Sequence, residues 1–447
     1  MIFRCCLVFL VVVAACEAPE AGDAAAAPAV PAALESQASA ESAAAGAVAC
    51  GATPQAPLRI PNNLPVQNLT GSSTTFSTAG SVDLQGPFFE ALGTNERTCG
   101  SCHASDQGWT ISAAGTQQLF DATRGKAPIF RAVDGANAPD ADLSTLRARR
   151  DAFSMLLKRG TIRVGIGMPD GADFELAAVD DPYGHACADE LSLFRRPLPA
   201  TNLAFASGVM WDGRVTGSSL QDALASQANG ATQGHAQRPT PLDQATRNQI
   251  VAFETGLFTA QIFDRTIGPL DVNGGHGDAE DLAGQTVVDA RWDLFDAYRD
   301  SGDPKYQALY RGQELFNTRR RPDGHGSCQG CHSQSNVGTS VKGSFFNIGT
   351  AAGTRREPDQ PLYTFTELST GAVVQVTDPG RALITGKFAD LGRFKVPALR
   401  GLAARPPYFH DGSARTLVDV VAFYRKVLGF VFTDDEAADM QAFLAAL

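Results

Sequence analysis

The chain has 447 residues, of which 44% are hydrophobic, and a formal charge of −11 at pH 7. This length is enough for two domains of ordinary size. The acidic balance argues against a nucleic-acid partner and gives weak support to a cationic protein partner. After the first 16 residues, no run of about twenty apolar residues occurs, so we expect a body without a membrane span.

The N-terminus predicts export. Residues 1–16, MIFRCCLVFLVVVAAC, combine one arginine, an apolar run and a small-residue cleavage site, which is the layout of a secretory signal peptide. The ending VAAC also resembles a bacterial lipobox, which predicts a lipid anchor on Cys16 and a periplasmic protein. The alternative is an ordinary cleaved signal peptide. Residues 17–48, rich in Ala and Pro, predict a disordered tether.

The nine cysteines can each be given a role. Cys5 and Cys6 leave with the signal peptide, Cys16 carries the lipid, and four belong to the motifs described next. Cys50 and Cys187 remain. Two thiols left over in an oxidising compartment usually pair, so we predict a Cys50–Cys187 disulfide, with two separate buried thiols as the alternative.

Two copies of Cys-x-x-Cys-His predict covalent haem. A thioether-linked haem needs two thiols for its vinyl groups and an adjacent imidazole for its iron, and this motif supplies all three. A four-thiolate zinc site brings its pairs together across some 15 to 20 residues, whereas these motifs are far apart. A thioredoxin-like dithiol gives no reason for two copies each followed by His. The predicted haem-binding residues are Cys99, Cys102, His103, Cys328, Cys331 and His332.

Helical periodicity recurs along the chain. It predicts helices at 144–158 and 244–263, and an amphipathic helix before the second motif. The side chains that share a face of that third helix are Tyr306, Leu309, Tyr310, Leu315 and Phe316. A last helix begins at the capping box that starts with Thr433. Strand-like alternation is scarce, so we expect a mostly α fold with long irregular loops.

Four segments resemble the bacterial di-haem cytochrome c peroxidase superfamily, which includes the MauG branch. They are the two haem motifs, MWDGR at 210–214, and FKVPALRGLAARPPYFHDGSARTL at 394–417. The resemblance implies two cytochrome-c-like helical domains, each with one covalent haem. We expect a peroxidatic N-terminal domain at 49–300 and an electron-relay domain at 301–447.

The resemblance also implies catalytic residues in the first domain. The family's tryptophan between the haems falls on Trp211, and its distal glutamine on Gln227, with Gln221 as the alternative. The distal glutamate of the family has no counterpart. His235 is the nearest residue that can accept and return a proton near neutral pH, whereas Gln237 cannot do so.

The two irons are expected to differ in their ligands. No histidine lies between His103 and His185, so the blocking histidine of classical peroxidases is missing and the first iron is expected to be open. On the second iron, the position of the family's methionine falls on Tyr424, which MauG also carries as tyrosine. His410 is expected to act near that haem without ligating it.

Three functions remain in competition. The first is an oxidoreductase that reduces hydrogen peroxide with electrons from a small cytochrome or cupredoxin. The second is a MauG-like oxidase or oxygenase of an organic or protein substrate, and the third is a non-catalytic electron-transfer cytochrome. The family's inter-domain calcium has little support, because Arg196 and Arg405 stand where the family has Asn and Thr.

Overall fold

Helices form the largest regular part of the described chain. The computed structural model describes residues 58–324 and 326–447, so the predicted signal peptide, the tether, Cys16 and Cys50 lie outside the described residues. The helices are α1 Ala113–Thr123, α2 Leu146–Ala152, α3 Ser154–Arg159, α4 Leu220–Gly234, α5 Gln244–Thr255, α6 Ala279–Ala283, α7 Pro304–Thr318, α8 Cys328–Cys331, α9 Ala382–Thr385, α10 Leu417–Val427 and α11 Asp434–Ala445.

Two predicted helices are confirmed with their ends. Helix α7 begins after Asp303, whose side chain accepts from the Lys305 N–H, and the helix leads to the second haem motif. Helix α11 has the predicted capping box, in which Thr433 and Glu436 satisfy each other's backbone N–H groups. The predicted helix at 144–158 corresponds to α2 and α3, which are separated at Phe153.

The predicted helix at 244–263 is wrong in its second half. Helix α5 ends at Thr255, Gly256 caps it, and a strand follows at Leu257–Asp264. Most of this strand is buried. A short apolar run that is buried on both faces lacks a period that distinguishes strand from helix, and for this reason the sequence pattern failed here.

The expected mostly α fold is confirmed only in part, because the described residues also form thirteen short strands, although more of these residues are helical. The strands are β1 Arg59–Pro61, β2 Val66–Gln67, β3 Gly71–Ser77, β4 Ser81–Asp83, β5 Ile162–Ile166, β6 Phe174–Asp180, β7 Leu191–Arg195, β8 Leu257–Asp264, β9 Gly268–Pro269, β10 Phe345–Phe346, β11 Leu362–Glu367, β12 Val373–Val376 and β13 Phe394–Lys395. They form five small sheets, the largest in the order β2-β3-β8-β9. All their pairings are antiparallel.

One sheet joins the two sides of the expected domain boundary at residue 300. Strand β6 pairs with β11, so that Tyr363 lies opposite Val179. Phe174, Tyr363 and Phe365 belong to one buried cluster. The division into domains at 49–300 and 301–447 stays a prediction, and this shared sheet ties residues from both ranges together. No helix within 58–324 or 326–447 has both the length and the apolar character needed to cross a membrane.

Two stretches of the chain have the same local fold. In each, a 3-10 turn follows a residue with left-handed backbone, namely Asn202 before Leu203–Phe205 and Gly401 before Leu402–Ala404. An antiparallel bridge then closes a tight loop, Val209 with Val215 in the first stretch and Tyr408 with Ala414 in the second. These loops contain the sequences MWDGR and FHDGS.

The likeness continues in detail through these loops and into the helices that follow. Met210 and Phe409 both have positive φ, of 66° and 67°, at the residue before Trp211 and His410. Such a backbone is strained for large side chains and is found mostly where a fold needs a particular orientation. A capped helix follows in each stretch, α4 after Ser219 and α10 after Thr416. The stretches 202–234 and 401–427 are therefore two repeats of one structural unit, and each repeat follows one of the two haem motifs in the chain.

Candidate functional site

A single cavity contains most of the residues predicted for the first haem. It encloses about 1340 Å³ of space, part of it open to solvent. The predicted residues in its wall are Cys99, Cys102, His103, Trp211, Gln227 and His235. The remaining wall is largely apolar, as in most cofactor sites, and it includes Ile162 and Val164 of strand β5. The cavity thus joins the first motif to residues more than a hundred positions away.

The residues present fit a haem at the first motif. The Nδ1 of His103 lies 3.1 Å from the carbonyl oxygen of Trp109, which leaves Nε2 available to an iron. Burial lowers the pKa of His103 to about 4, so the imidazole is neutral and keeps its lone pair. Cys99 and Cys102 line the same cavity. Burial raises the thiol pKa of Cys99 to about 12 and that of Cys102 to about 11.

Helix α4 forms part of the wall of this cavity. Leu224, Gln227, Ala228, Ala231 and His235 all line the cavity, and their spacing places them on one face of the helix. Gln221 is exposed and is not among the wall residues. The helix face therefore favours Gln227 over Gln221 as the distal glutamine.

Sequence reasoning missed Asp134, which contacts His235. The Nδ1 of His235 makes a short contact with Asp134 Oδ2, and the other oxygen of this buried carboxylate pairs with Arg97. Burial by itself raises the pKa of Asp134, but the hydrogen bond and charge of His235, together with Arg97, hold it below its ordinary value. Asp134 lies in an irregular loop that is distant from both motifs in sequence, and no sequence signal marks it.

Two further buried ionisable groups in the wall were missed. Burial raises the pKa of Glu254 to about 8, and its Oε2 has no hydrogen-bond partner among the described residues. Burial lowers the pKa of Lys395 to about 8, and its Nζ donates to the Gly208 carbonyl at 2.8 Å. Both groups are closer to neutral at pH 7 than their exposed counterparts.

Trp211 and His410 are in direct contact. Their ring centroids are 6.3 Å apart at 70°, and the Trp211 Nε1 donates to the Arg196 carbonyl at 2.8 Å. The buried His410 ring stacks on Phe394 at 4.0 Å, and its Nε2 has no hydrogen-bond partner among the described residues. These two residues occupy equivalent places in the two repeats, so the repeats meet where their loops touch.

The second motif is built like the first. The Nδ1 of His332 lies 2.5 Å from the Gly338 carbonyl oxygen, six residues on, just as His103 contacts Trp109. Burial lowers the pKa of His332 to about 4. The residues present here also fit a haem, because Cys328 begins and Cys331 ends the single turn of helix α8 before His332, and the imidazole is neutral with Nε2 available.

Tyr424 occupies the place in α10 that Gln227 occupies in α4. Each is the eighth residue of its helix, as LQDALASQ and LVDVVAFY show. Tyr424 packs against the same apolar cluster as Cys328. Burial raises the pKa of its phenol, and the nearby Cys328 and Cys331 sulfurs raise it further. The phenol therefore lies close to the second haem motif.

An aromatic series links Tyr424 to Trp211. Tyr424 lies 5.8 Å from Phe423, and Phe423 lies 4.7 Å from Phe409, the chain neighbour of His410. His410 then contacts Trp211 in the wall of the first cavity. The two predicted haem sites are thus joined through packed rings.

The region where the family has calcium contains two buried guanidinium groups. Arg196 donates to the carbonyl oxygens of Arg405, Pro407 and Ile111. Burial lowers the pKa of Arg196 to about 9. Across 58–324 and 326–447, no group of three or more His, Cys, Asp or Glu is arranged to hold a metal ion. Calcium binding stays untested.

The predicted disulfide also stays a prediction. Cys187 is exposed and unbridged within the described part of the chain, and Cys50 lies outside it.

Comparisons with known proteins agree with the family resemblance. No family model matches the chain. Over 259 residues the chain is 27% identical to the methylamine utilization protein MauG of Methylophilus methylotrophus, which covers 57% of this chain and 64% of that protein. Over 69 residues it is 44% identical to the cytochrome c551 peroxidase of Nitrosomonas europaea, covering 15% and 21%. The chain is a relative of the bacterial di-haem cytochrome c peroxidase and MauG superfamily.

These matches to members of the superfamily span less than two thirds of either relative's length. A solved MauG-like protein associated with microbial copper homeostasis covers 89% of this chain and 95% of its own, at 16% identity. Its TM-score of 0.39 is too low to support an argument about fold or function.

Proposed function

We propose that this protein is an exported di-haem c-type oxidoreductase that reduces hydrogen peroxide at its first haem, with electrons relayed through the second. The observation that carries the proposal is the first cavity, whose wall combines the Cys99–His103 motif with Gln227 and His235. Bound haem supplies the redox chemistry at both sites. The chain supplies attachment, proton movement and an electron path.

In the first site, His103 would hold the haem iron, and helix α4 brings Gln227 and His235 to the same cavity. Peroxide cleavage needs a group that takes a proton from one oxygen and returns it to the other. His235 can do both, and the Gln227 amide can orient the peroxide by hydrogen bonding. One peroxide consumes two electrons and two protons and yields two waters.

In the second site, His332 and Tyr424 are the proposed ligands of the iron. The equivalence of Tyr424 with Gln227 supports this assignment, because the same helix position faces the haem cavity in the first repeat. A phenolate is a harder donor than a thioether and stabilises ferric iron. Electrons pass between the sites through His410 and Trp211, whose rings are in contact.

Tyr424 also favours the second candidate function, a MauG-like oxidation of an organic or protein substrate. A low-potential second haem suits the sharing of oxidising equivalents better than the supply of electrons. A small cytochrome or cupredoxin is the proposed donor for the peroxidase function. Export and the lipid anchor on Cys16 rest on the N-terminal sequence, and they place the proposed activity in the periplasm.

The test is a reaction of the purified holoprotein with hydrogen peroxide, followed at the absorption bands of both haems. The peroxidase function predicts rapid spectral change and continuous turnover when a reduced donor cytochrome is added. Rapid change without donor turnover favours the MauG-like function. If neither haem responds to peroxide, the protein is an electron-transfer cytochrome and the proposal is wrong.

A further inference from the structure

Three ionisable side chains form a connected group at the wall of the first cavity. Asp134 lies between Arg97 and His235, with Oδ1 on the Arg97 guanidinium and Oδ2 on His235 Nδ1. The Asp134 and Arg97 side chains are 5% and 3% exposed, whereas that of His235 is 36% exposed. Arg97 and His235 both line the cavity, and the buried Asp134 carboxylate joins them.

The geometry of this group is fixed from several directions. Arg97 also donates to the carbonyl oxygens of Pro128, at 2.8 Å, and Ile129, at 2.6 Å. Its Nη1 lies 3.3 Å from the His235 carbonyl. The Asp134 carbonyl accepts from the N–H of Arg163 on strand β5 at 2.7 Å. The Asp134 carboxylate and the His235 backbone are thus both tied to the Arg97 guanidinium.

Gly135, the next residue in the loop, shows how closely this loop packs against Arg97 and Ile129. A Cβ added to Gly135 would lie 2.5 Å from the Ile129 carbonyl oxygen and 3.2 Å from Arg97 Nη2. Only glycine fits there without moving the loop. The chain passes close to the guanidinium at the point where Asp134 must reach His235.

We propose that Asp134 is a positioning residue that holds His235 as the proton carrier of the first cavity, and that Arg97 holds Asp134 in place. The inference rests on the proposed peroxide reaction. A carboxylate on Nδ1 fixes the imidazole orientation and tautomer and stabilises the imidazolium that forms when Nε2 takes a proton. Nε2 has no protein partner within the described residues, so it is free for proton exchange.

The proton step follows from this arrangement. Nε2 of His235 accepts the proton of the peroxide oxygen nearer the haem and returns it to the far oxygen. The far oxygen keeps the electron pair of the broken O–O bond and leaves as water. The other oxygen takes two electrons, which the haems would supply and the donor would restore, together with two protons from solvent, and it leaves as the second water. In this role the Asp134–His235 pair replaces the single distal carboxylate that the sequence lacks.

A purely structural ion pair would give the same contacts, so the test must separate the two roles. Both oxidants must lose the proton of the oxygen that stays at the haem, but the leaving oxygen of hydrogen peroxide also needs a proton, whereas the acetate that leaves from peracetic acid needs none. We expect Asp134→Asn and His235→Gln to slow the reaction with hydrogen peroxide by about 10² to 10⁴-fold, the usual effect of losing a proton carrier. The rates with peracetic acid should fall less than about tenfold, because a missing proton carrier does not affect that leaving group.

The controls use the same loop and the same helix. Asp140→Asn changes an exposed carboxylate nearby and should leave both rates unchanged. The double variant should be no slower than His235→Gln alone, because the two residues act as one unit. For His235→Ala, added imidazole should restore part of the hydrogen peroxide rate, which would show that this variant is folded.

The outcomes are distinct. If wild-type protein does not react with hydrogen peroxide, the proposed function fails and this inference fails with it. If wild type reacts but Asp134→Asn reacts equally fast, only the inference is wrong. An equal loss of rate with hydrogen peroxide and peracetic acid would also overturn it, because that pattern is structural damage. Intact mass should show two haems in every variant.

Discussion

The two repeats use the same backbone and carry different side chains at equivalent positions. The eighth residue of the capped helix is Gln227 in one repeat and Tyr424 in the other. The residue after the strained position in the loop is Trp211 in one and His410 in the other. In the haem motif that precedes each repeat, Nδ1 of the histidine contacts the carbonyl oxygen of the residue six positions later. Both sites thus offer the same backbone arrangement for attaching a haem. Single side chains distinguish the proposed reactive site from the proposed relay site.

The largest expected effect is the loss of one haem site at a time. Replacing Cys99 and Cys102 by Ser should remove the first haem, since both thioether bonds are lost, and abolish the peroxide reaction. The matched change of Cys328 and Cys331 to Ser should remove the second haem, keep the first reaction with peroxide and abolish turnover with a donor. Intact mass gives the haem count, and stopped-flow absorbance gives the rate. Two haems remaining in either variant would contradict the assignment.

Replacing the eighth residue of α4 by the tyrosine found at the same position in α10 should make the first site resemble the second. Gln227→Tyr introduces a phenol over the first iron, and we expect the peroxide rate to fall by about a hundredfold or more, through loss of an open site. Gln221→Tyr is the control, because Gln221 is exposed and lies outside the cavity wall. An unchanged rate in Gln227→Tyr would mean that α4 does not cover the iron.

The contact between Trp211 and His410 should set the rate of electron transfer between the two haem sites. Trp211→Phe keeps an apolar ring but removes the indole, and we expect electron transfer between the haems to slow about tenfold, equivalent to about 1.4 kcal/mol of barrier. Flash reduction of one haem, with the second followed by absorbance, measures this rate. Equal rates would exclude Trp211 from the path.

The smallest effect concerns stability. Ser219→Ala and Thr416→Ala each remove the cap of an equivalent helix, where the side chains accept from Asp222 N at 3.1 Å and Asp419 N at 3.2 Å. Each should cost about 1 kcal/mol of unfolding free energy. Chemical denaturation of the holoprotein measures both. A large difference between them would show that the two helices are not held alike.

Much of the site was predictable because its residues lie in local motifs. The haem motifs and the Thr433 capping box are short patterns with a physical meaning at fixed spacing. The sequence left Gln227 and Gln221 as alternatives, and the choice of Gln227 required knowing which face of α4 lines the cavity. Asp134 could not be found, because it meets His235 across 101 residues of sequence in an irregular loop. Strand β8 was missed because its buried apolar run has no period that separates strand from helix.

The central claim is that the first iron is open and the second is closed by Tyr424. Electron paramagnetic resonance of the ferric holoprotein tests it most directly. We predict one five-coordinate high-spin signal and one six-coordinate signal, with added azide changing only the first. In Tyr424→Phe the six-coordinate signal should disappear while both haems remain attached. A spectrum of Tyr424→Phe identical to that of wild type would make Tyr424 a core residue and would contradict the proposed difference between the two sites.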